Sequence, residues 1–117
     1  MNSTTVKHEQ LFQKGRFKKF GEITDLQPEM GKKFFDWYGE VFKEGALTVR
    51  EKNLIALAVA HTVQCPYCMD AYTSECLSSG CDEEQMMEAV HVAAAIKGGA
   101  TLVNAVPMMN TIKAKLM

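Results

Sequence analysis

From Pro28 onward the apolar positions of the chain recur at helical spacing. Met30, Phe34, Phe35, Trp37, Tyr38, Val41 and Phe42 follow one another at steps of three and four, the period of an amphipathic helix with an aromatic stripe. Pro28 suits its start and Gly45 its end. Thr48 then reads as an N-cap, with Glu51 three residues on completing a capping box. Leu54 to Ala60 follow as seven apolar residues in a row. A buried strand is one reading of that run, but the caps, the alanine content and the length predict a helix buried on every side. Gln64 and Cys65 break the pattern. Pro66 restarts it at a first helical position, where its missing N–H costs nothing, so Cys65 falls at or near the N-cap of a helix reaching about Leu77. Ser78 to Cys81 close that helix. Asp82 caps the next, with Glu83 and Glu84 in the first turn, where they suit the helix dipole. Ala93, Ala94 and Ala95 permit close helix contact, Gly98 and Gly99 interrupt, and a last helix follows in which Pro107 is a kink point. No strand pattern is present. The expectation is an all-α fold of about five to six helices, with residues 1–20 a loosely held arm and residues 21–117 one helical domain. These apolar faces exceed what 117 residues can bury alone, which predicts a homo-oligomer with helices intertwined across subunits.

Composition narrows the function. The length fits one domain, and 47% hydrophobic with 23% charged residues is an ordinary globular balance. The formal net charge is -1 and the basic residues form only short pairs such as Lys18–Lys19 and Lys32–Lys33. That argues against a nucleic-acid or anionic-membrane partner, either of which needs a concentrated basic patch. The first ten residues are polar, without the apolar core of a signal peptide, and no apolar stretch reaches the ~18 residues of a membrane span. The expected location is therefore cytoplasmic. In a reducing compartment a Cys-x-x-Cys is redox-active or metal-binding more often than structural.

Three of the four cysteines lie between Val63 and Cys76, and Cys65 and Cys68 frame a Cys-x-x-Cys. A cysteine at a helix N-terminus sits among unpaired N–H groups at the positive end of the dipole, which favours the reactive thiolate. Cys68 lies one turn deeper on the same face, so the pair can close a disulfide without unfolding the helix. Simple packing of small residues and a zinc site of Cys65, Cys68, Cys76 and Cys81 are the other readings. Zinc knuckles commonly pair two Cys-x-x-Cys units, and here the second pair is split by four residues across a helix end. No metal and no cofactor is therefore expected. Cys76 lies eight residues past Cys68 on nearly the same stripe, as a third thiol or as packing. His61, four residues before Cys65, is either an acid–base partner or a helix-terminal histidine satisfying the last carbonyls. His91 reads as solvated or interfacial, Asp70 as solvent-facing, and the methionine pairs 86–87 and 108–109 as core or interface filler.

The stretch from Arg50 to Thr73, "REKNLIALAVAHTVQCPYCMDAYT", with its continuation from Glu83 to Ala105, resembles the alkylhydroperoxidase D-like, or carboxymuconolactone decarboxylase-like, family. The likeness covers about residues 45–105. It implies an all-helical fold assembled into homotrimers or homohexamers. It also implies peroxide reduction at the Cys-x-x-Cys, with Cys68 attacking, Cys65 resolving and a Glu–His relay drawing off the proton. This chain departs from the relay: its Glu position is Asn53 and its His position is Tyr72. Glu51 cannot stand in for Asn53, because two residues on a helix are about 200° apart. A phenol is almost wholly protonated near neutral pH, so Tyr72 is no proton acceptor, though it can donate a hydrogen bond to a Cys68 thiolate. The same residues are similar to a small peroxidase-like subgroup associated with arsenosugar biosynthesis, in which the extra thiols Cys76 and Cys81 gain interest because trivalent arsenic favours sulfur ligands.

The expected function is that of a thiol-dependent peroxidase or disulfide reductase working through Cys65 and Cys68 on a small peroxide or disulfide, with an external thiol reductant of unknown identity restoring the pair. The alternative is a non-catalytic module holding a metal or metalloid at Cys65, Cys68 and Cys76. Decarboxylation or lactone chemistry of the wider family does not depend on the Cys-x-x-Cys, so its presence argues against that branch.

Overall fold

The computed structural model describes residues 21–117, and the arm expected over residues 1–20 lies outside them. A short 3-10 turn, Gly21–Asp25, leads into five helices: α1 (Pro28–Val41), α2 (Val49–Thr62), α3 (Pro66–Ser78), α4 (Glu83–Val103) and α5 (Ala105–Leu116). The described residues contain no strand, and the fold is all-α as expected.

Local chemistry sets the helix starts. Thr48 caps α2: its hydroxyl accepts from the Glu51 N–H at 3.1 Å while the Glu51 carboxylate accepts from the Thr48 N–H at 2.9 Å. The Thr48 backbone N–H, and after it the Thr48 side chain, hold the Glu51 carboxyl below its ordinary value. Asp82 begins α4 through a second reciprocal box with Gln85, at 2.8 and 2.9 Å. Pro28 and Pro66 occupy first-turn positions in α1 and α3. Between α2 and α3 the chain turns at Gln64, whose φ of 56° is left-handed, a conformation that disfavours side chains with a Cβ. Between α3 and α4 the same need is met by Gly80 at φ 88°.

The core sits where α2 packs against both α3 and α4. Leu57, Cys76 and Cys81 are buried at its centre, with Leu54, Tyr72 and Met86 around them. The backbone N–H of Cys81 returns to the Cys76 carbonyl at 2.9 Å, which folds the second sulfur back beside the first.

Four expectations are corrected. Helix α1 ends at Val41, before Gly45; the Lys52 ammonium reaches across to accepting carbonyls of Val41, at 2.8 Å, and of Lys43. The run Leu54–Ala60 is not buried on every side: Leu57 and Ala60 are, but Ile55 and Val59 are about half exposed, at 49% and 50%. Gly98 and Gly99 do not interrupt α4, since a helix tolerates glycine at a modest cost. The break falls at Asn104. That is where Pro107 acts, because a proline removes the bond to the carbonyl four residues back, here Val103, and its ring crowds that carbonyl. Finally, Glu83–Leu116 runs as a 34-residue rod with a window of mean hydropathy 1.3, long and apolar enough to cross a membrane by length and composition alone. Several apolar side chains along this stretch, Val92, Ile96, Leu102 and Met108 among them, are more than half exposed in the single chain. The radius of gyration, 19.4 Å, is well above the ~13 Å of a compact chain of this length.

Candidate functional site

The site begins at the start of α3. Pro66 opens the helix and leaves Cys65 as N-cap, with extended φ and ψ of -104° and 100°. The Cys65 sulfur accepts the backbone N–H of Cys68 at 3.2 Å. A disulfide joins the two, their Cα atoms 5.2 Å apart, inside the range that a disulfide spans without moving backbone. The sulfurs are not equivalent. When the bond is reduced, the Cys65 sulfur has the amide donor and the helix terminus to stabilise its anion. Cys68 has the open space.

That space lies between α1, α2 and α3. One cavity, of about 390 Å³, is lined by Cys68 with Tyr38, Phe42, Val49, Asn53, Tyr67, Ala71, Tyr72 and Glu75. A second, of about 440 Å³, shares Cys68, Tyr38, Phe42 and Tyr72 and is otherwise mostly aliphatic, with Val41, Leu47, Ile55, Val59 and Val63. Cys65 is on neither lining. Of the two cysteines it is therefore Cys68 that borders both cavities.

Tyr72 divides the two spaces. Its hydroxyl is hydrogen-bonded to that of Tyr38, and Phe42 stacks on its ring with centroids 5.2 Å apart and planes 18° apart. Burial first, then the Tyr38 hydrogen bond, push its phenol far above the ordinary value. Tyr72 is thus protonated at any physiological pH, as its residue type implied. The expected hydrogen bond to Cys68 gives way to one with Tyr38.

Asn53 also lines the cavity, but its amide is committed. It is buried, and its Nδ2 donates to the Glu75 carbonyl at 3.3 Å and to the Ser79 hydroxyl at 3.2 Å. The residue ties α2 to the end of α3. His61 is not brought to the cavity. Its Nδ1 lies 2.8 Å from the Leu57 carbonyl, and its ring borders a separate recess of about 240 Å³ with Thr62, Gln64 and Lys97. The ring thus faces a backbone carbonyl of its own helix and neither cysteine of the pair. Cys76 and Cys81 are sealed in the core, so the three-thiol cluster of Cys65, Cys68 and Cys76 is not assembled. Among the described residues no group of three or more His, Cys, Asp or Glu is placed to hold a metal ion.

Tyr38, Phe42 and Glu75 are among the lining residues not singled out as site residues from the sequence. Tyr38 and Phe42 belong to the aromatic stripe of α1, and nothing in a stripe says which helix it meets. Glu75 had a signal: Cys68, Tyr72 and Glu75 stand at i, i+4 and i+7, one face of α3.

Comparisons with known proteins fit this architecture. The family model of the carboxymuconolactone decarboxylase family matches residues 28–110. A Paracoccus denitrificans protein described as "Uncharacterized protein 4 in cox locus" is 46% identical over 65 residues, 56% of this chain and 59% of that protein, so the chain spans about three-fifths of the relative's length. A crystal structure of a protein from Methanobacterium thermoautotrophicum superposes with a TM-score of 0.71 at 34% identity, covering 74% of this chain and 97% of that one. The apo structure of a carboxymuconolactone decarboxylase family protein from Legionella pneumophila gives 0.68 at 26% identity, covering 86% of this chain and 88% of the other. The match extends over helices α1 to α4 and the first half of α5, and this chain belongs to the carboxymuconolactone decarboxylase family.

Proposed function

We propose that the chain is a thiol-dependent peroxidase or disulfide reductase working through Cys65 and Cys68. The observation that carries the reading is the division of labour at the start of α3. The two sulfurs are within bonding reach, Cys68 faces the cavities, and Cys65 holds the amide hydrogen bond.

The chemistry follows. In the reduced form the Cys68 thiolate attacks the outer oxygen of a hydroperoxide. The O–O bond breaks, a proton from solvent completes the alcohol, and Cys68 becomes a sulfenic acid. Cys65 attacks that sulfur, the S–O bond breaks, and water leaves as the disulfide closes. An external dithiol then attacks the exposed Cys68 sulfur. Cys65 departs as the better leaving group because its anion is the stabilised one, and the reductant ends oxidised. With a disulfide substrate the first step is attack of Cys68 on sulfur, and a mixed disulfide replaces the sulfenic acid. Neither Asn53 nor Tyr72 accepts a proton in this scheme, so turnover tracks the Cys68 thiolate fraction.

A compartment that supplies thiols suits this cycle, and the cytoplasm is the setting we propose. The half-exposed apolar faces of α2, α4 and α5 support assembly as a homotrimer or homohexamer. The test is stopped-flow consumption of a hydroperoxide with dithiothreitol as reductant. Wild type turns over, Cys68→Ser is inactive, and Cys65→Ser, whose Cys68 sulfenic acid must be reduced directly by dithiothreitol, still consumes peroxide without forming the internal disulfide. Unchanged turnover in Cys68→Ser would remove the proposal.

A further inference from the structure

The wall around Cys68 is largely aromatic, and the one charge on it is negative. Tyr38, Phe42, Tyr67 and Tyr72 surround the 390 Å³ cavity, and Glu75 is the carboxylate on its lining. Among the described residues no lysine, arginine or histidine lines it. Lys52, at the neighbouring recess, has its ammonium bound to the Val41 and Lys43 carbonyls. The Glu75 side chain forms no ion pair among those of the described residues.

Each of these features selects by charge. The faces of aromatic rings are electron-rich and attract cations. The carboxylate of Glu75, an exposed residue on the lining, adds a full negative charge beside them. An anionic ligand meets repulsion from both. A neutral apolar ligand gains from the rings and nothing from Glu75. An organic cation gains from both, and its alkyl groups are cheaply desolvated, unlike a metal ion. The volume falls in the lower part of the range for small-molecule sites, enough for an alkylated ammonium head with a short body attached. Glu75 lies seven residues beyond Cys68, about 10 Å along the helix axis. A cationic head near the carboxylate therefore leaves the other end of the same ligand near the sulfur.

We infer that the cavity beside Cys68 is a binding site for organic cations, an alkylammonium head seated between the aromatic rings and Glu75. The inference extends the redox reading, because it makes cationic disulfides or hydroperoxides the favoured substrates and anionic disulfides poor ones. The binding itself needs no redox step, so the two can fail separately.

The test uses the full chain carrying Cys68→Ser, which cannot turn over, and choline as probe, followed by the tyrosine ring resonances in NMR. Its neutral isostere 3,3-dimethylbutan-1-ol has the same shape without the charge. Choline should shift the tyrosine rings and bind roughly tenfold more tightly than the isostere. Glu75→Gln should weaken choline roughly tenfold and leave the isostere unchanged, while Glu75→Asp, which keeps the charge, restores much of the loss. Added salt should weaken choline alone. Because Asn53 bonds the backbone carbonyl of Glu75 and not its side chain, Glu75→Gln should unfold at the wild-type urea midpoint, which separates lost recognition from lost fold. Equal binding of choline and isostere, indifference to Glu75→Gln, or unmoved ring resonances would each overturn the inference. Turnover of a neutral hydroperoxide by the wild type, measured separately, decides the redox reading on its own.

Discussion

Raising the pH of the reduced protein from 8 to 10 should weaken the fold through one buried thiol. Cys76 has no exposed surface, packed with Leu57 and Cys81 at the centre of the core. Burial, and after it the Cys81 thiol alongside, push it up to about 11 from an ordinary value of 9.0. An acid whose folded value is raised is neutral in the fold while the unfolded chain ionises. Its contribution is therefore whole below pH 9 and is lost as pH climbs through 11. With those two values the loss is RT ln[(1 + 10^(pH-9))/(1 + 10^(pH-11))], about 1.4 kcal/mol at pH 10 and about 2 kcal/mol at pH 11. Urea unfolding at fixed ionic strength with excess reductant reads it directly. For a domain of this size the midpoint should fall by roughly 0.5–1 M between pH 8 and pH 10. Stopping at pH 10 holds the share of the Tyr72 phenol to about 0.4 kcal/mol, since its unfolded value is near 10. Cys76→Ala supplies the control: it is less stable throughout because it leaves a void, but its midpoint should be flatter across the same range. Parallel pH curves for the two proteins would refute the reasoning and place the Cys76 sulfur in contact with water.

Three further outcomes are expected. Tyr72→Phe removes the hydroxyl paired with Tyr38 and should cost about 0.5–1.5 kcal/mol at neutral pH. It should also shrink the loss of stability that the wild type shows above pH 10, leaving the share due to Cys76, because the phenol's raised value makes its contribution one that disappears on the alkaline side; urea midpoints at pH 7 and pH 11 check both. At Gln64, with its φ of 56°, Gln64→Gly should be close to neutral while Gln64→Val costs about 1–2 kcal/mol, measured by thermal or urea unfolding. In the reduced, folded protein a small alkylating agent should modify Cys65 and Cys68 quickly, whereas Cys76 and Cys81 react only after denaturant is added, as mass spectrometry of the timed reaction will count.

The helix starts were legible in the sequence because capping chemistry is local. Thr48 with Glu51, Asp82, and Pro66 after Cys65 each act within four residues, and each stands where its pattern put it. The helix end at Val103 was misplaced because glycine permits a break without enforcing one, whereas proline acts four residues upstream of itself. The burial of α2 was over-read for another reason: seven apolar residues in a row say that a helix will be covered, not that one chain does the covering. At the site, the dithiol could be read from residue type and spacing, and the missing relay positions from the family resemblance. Tyr38, Phe42 and the binding of the Asn53 amide could not, because α1 reaches the cavity across the turn between Val41 and Thr48, and the direction of that turn is set by Lys52 from the next helix. The roles of His61 were balanced in sequence. In the structure its Nδ1 faces the Leu57 carbonyl one turn back, at 2.8 Å.

The account rests on Cys68 meeting the substrate and Cys65 closing the bond behind it, and a single-turnover reaction mapped by mass spectrometry tests that most directly. Reduced protein is mixed with one equivalent of hydroperoxide in the presence of a sulfenic-acid trap, quenched by alkylation and digested. The expected products are a Cys65–Cys68 disulfide in the wild type and, in Cys65→Ser, a trapped sulfenic acid on Cys68 alone. A trap adduct on Cys65, or both thiols recovered alkylated with the peroxide unconsumed, would contradict it.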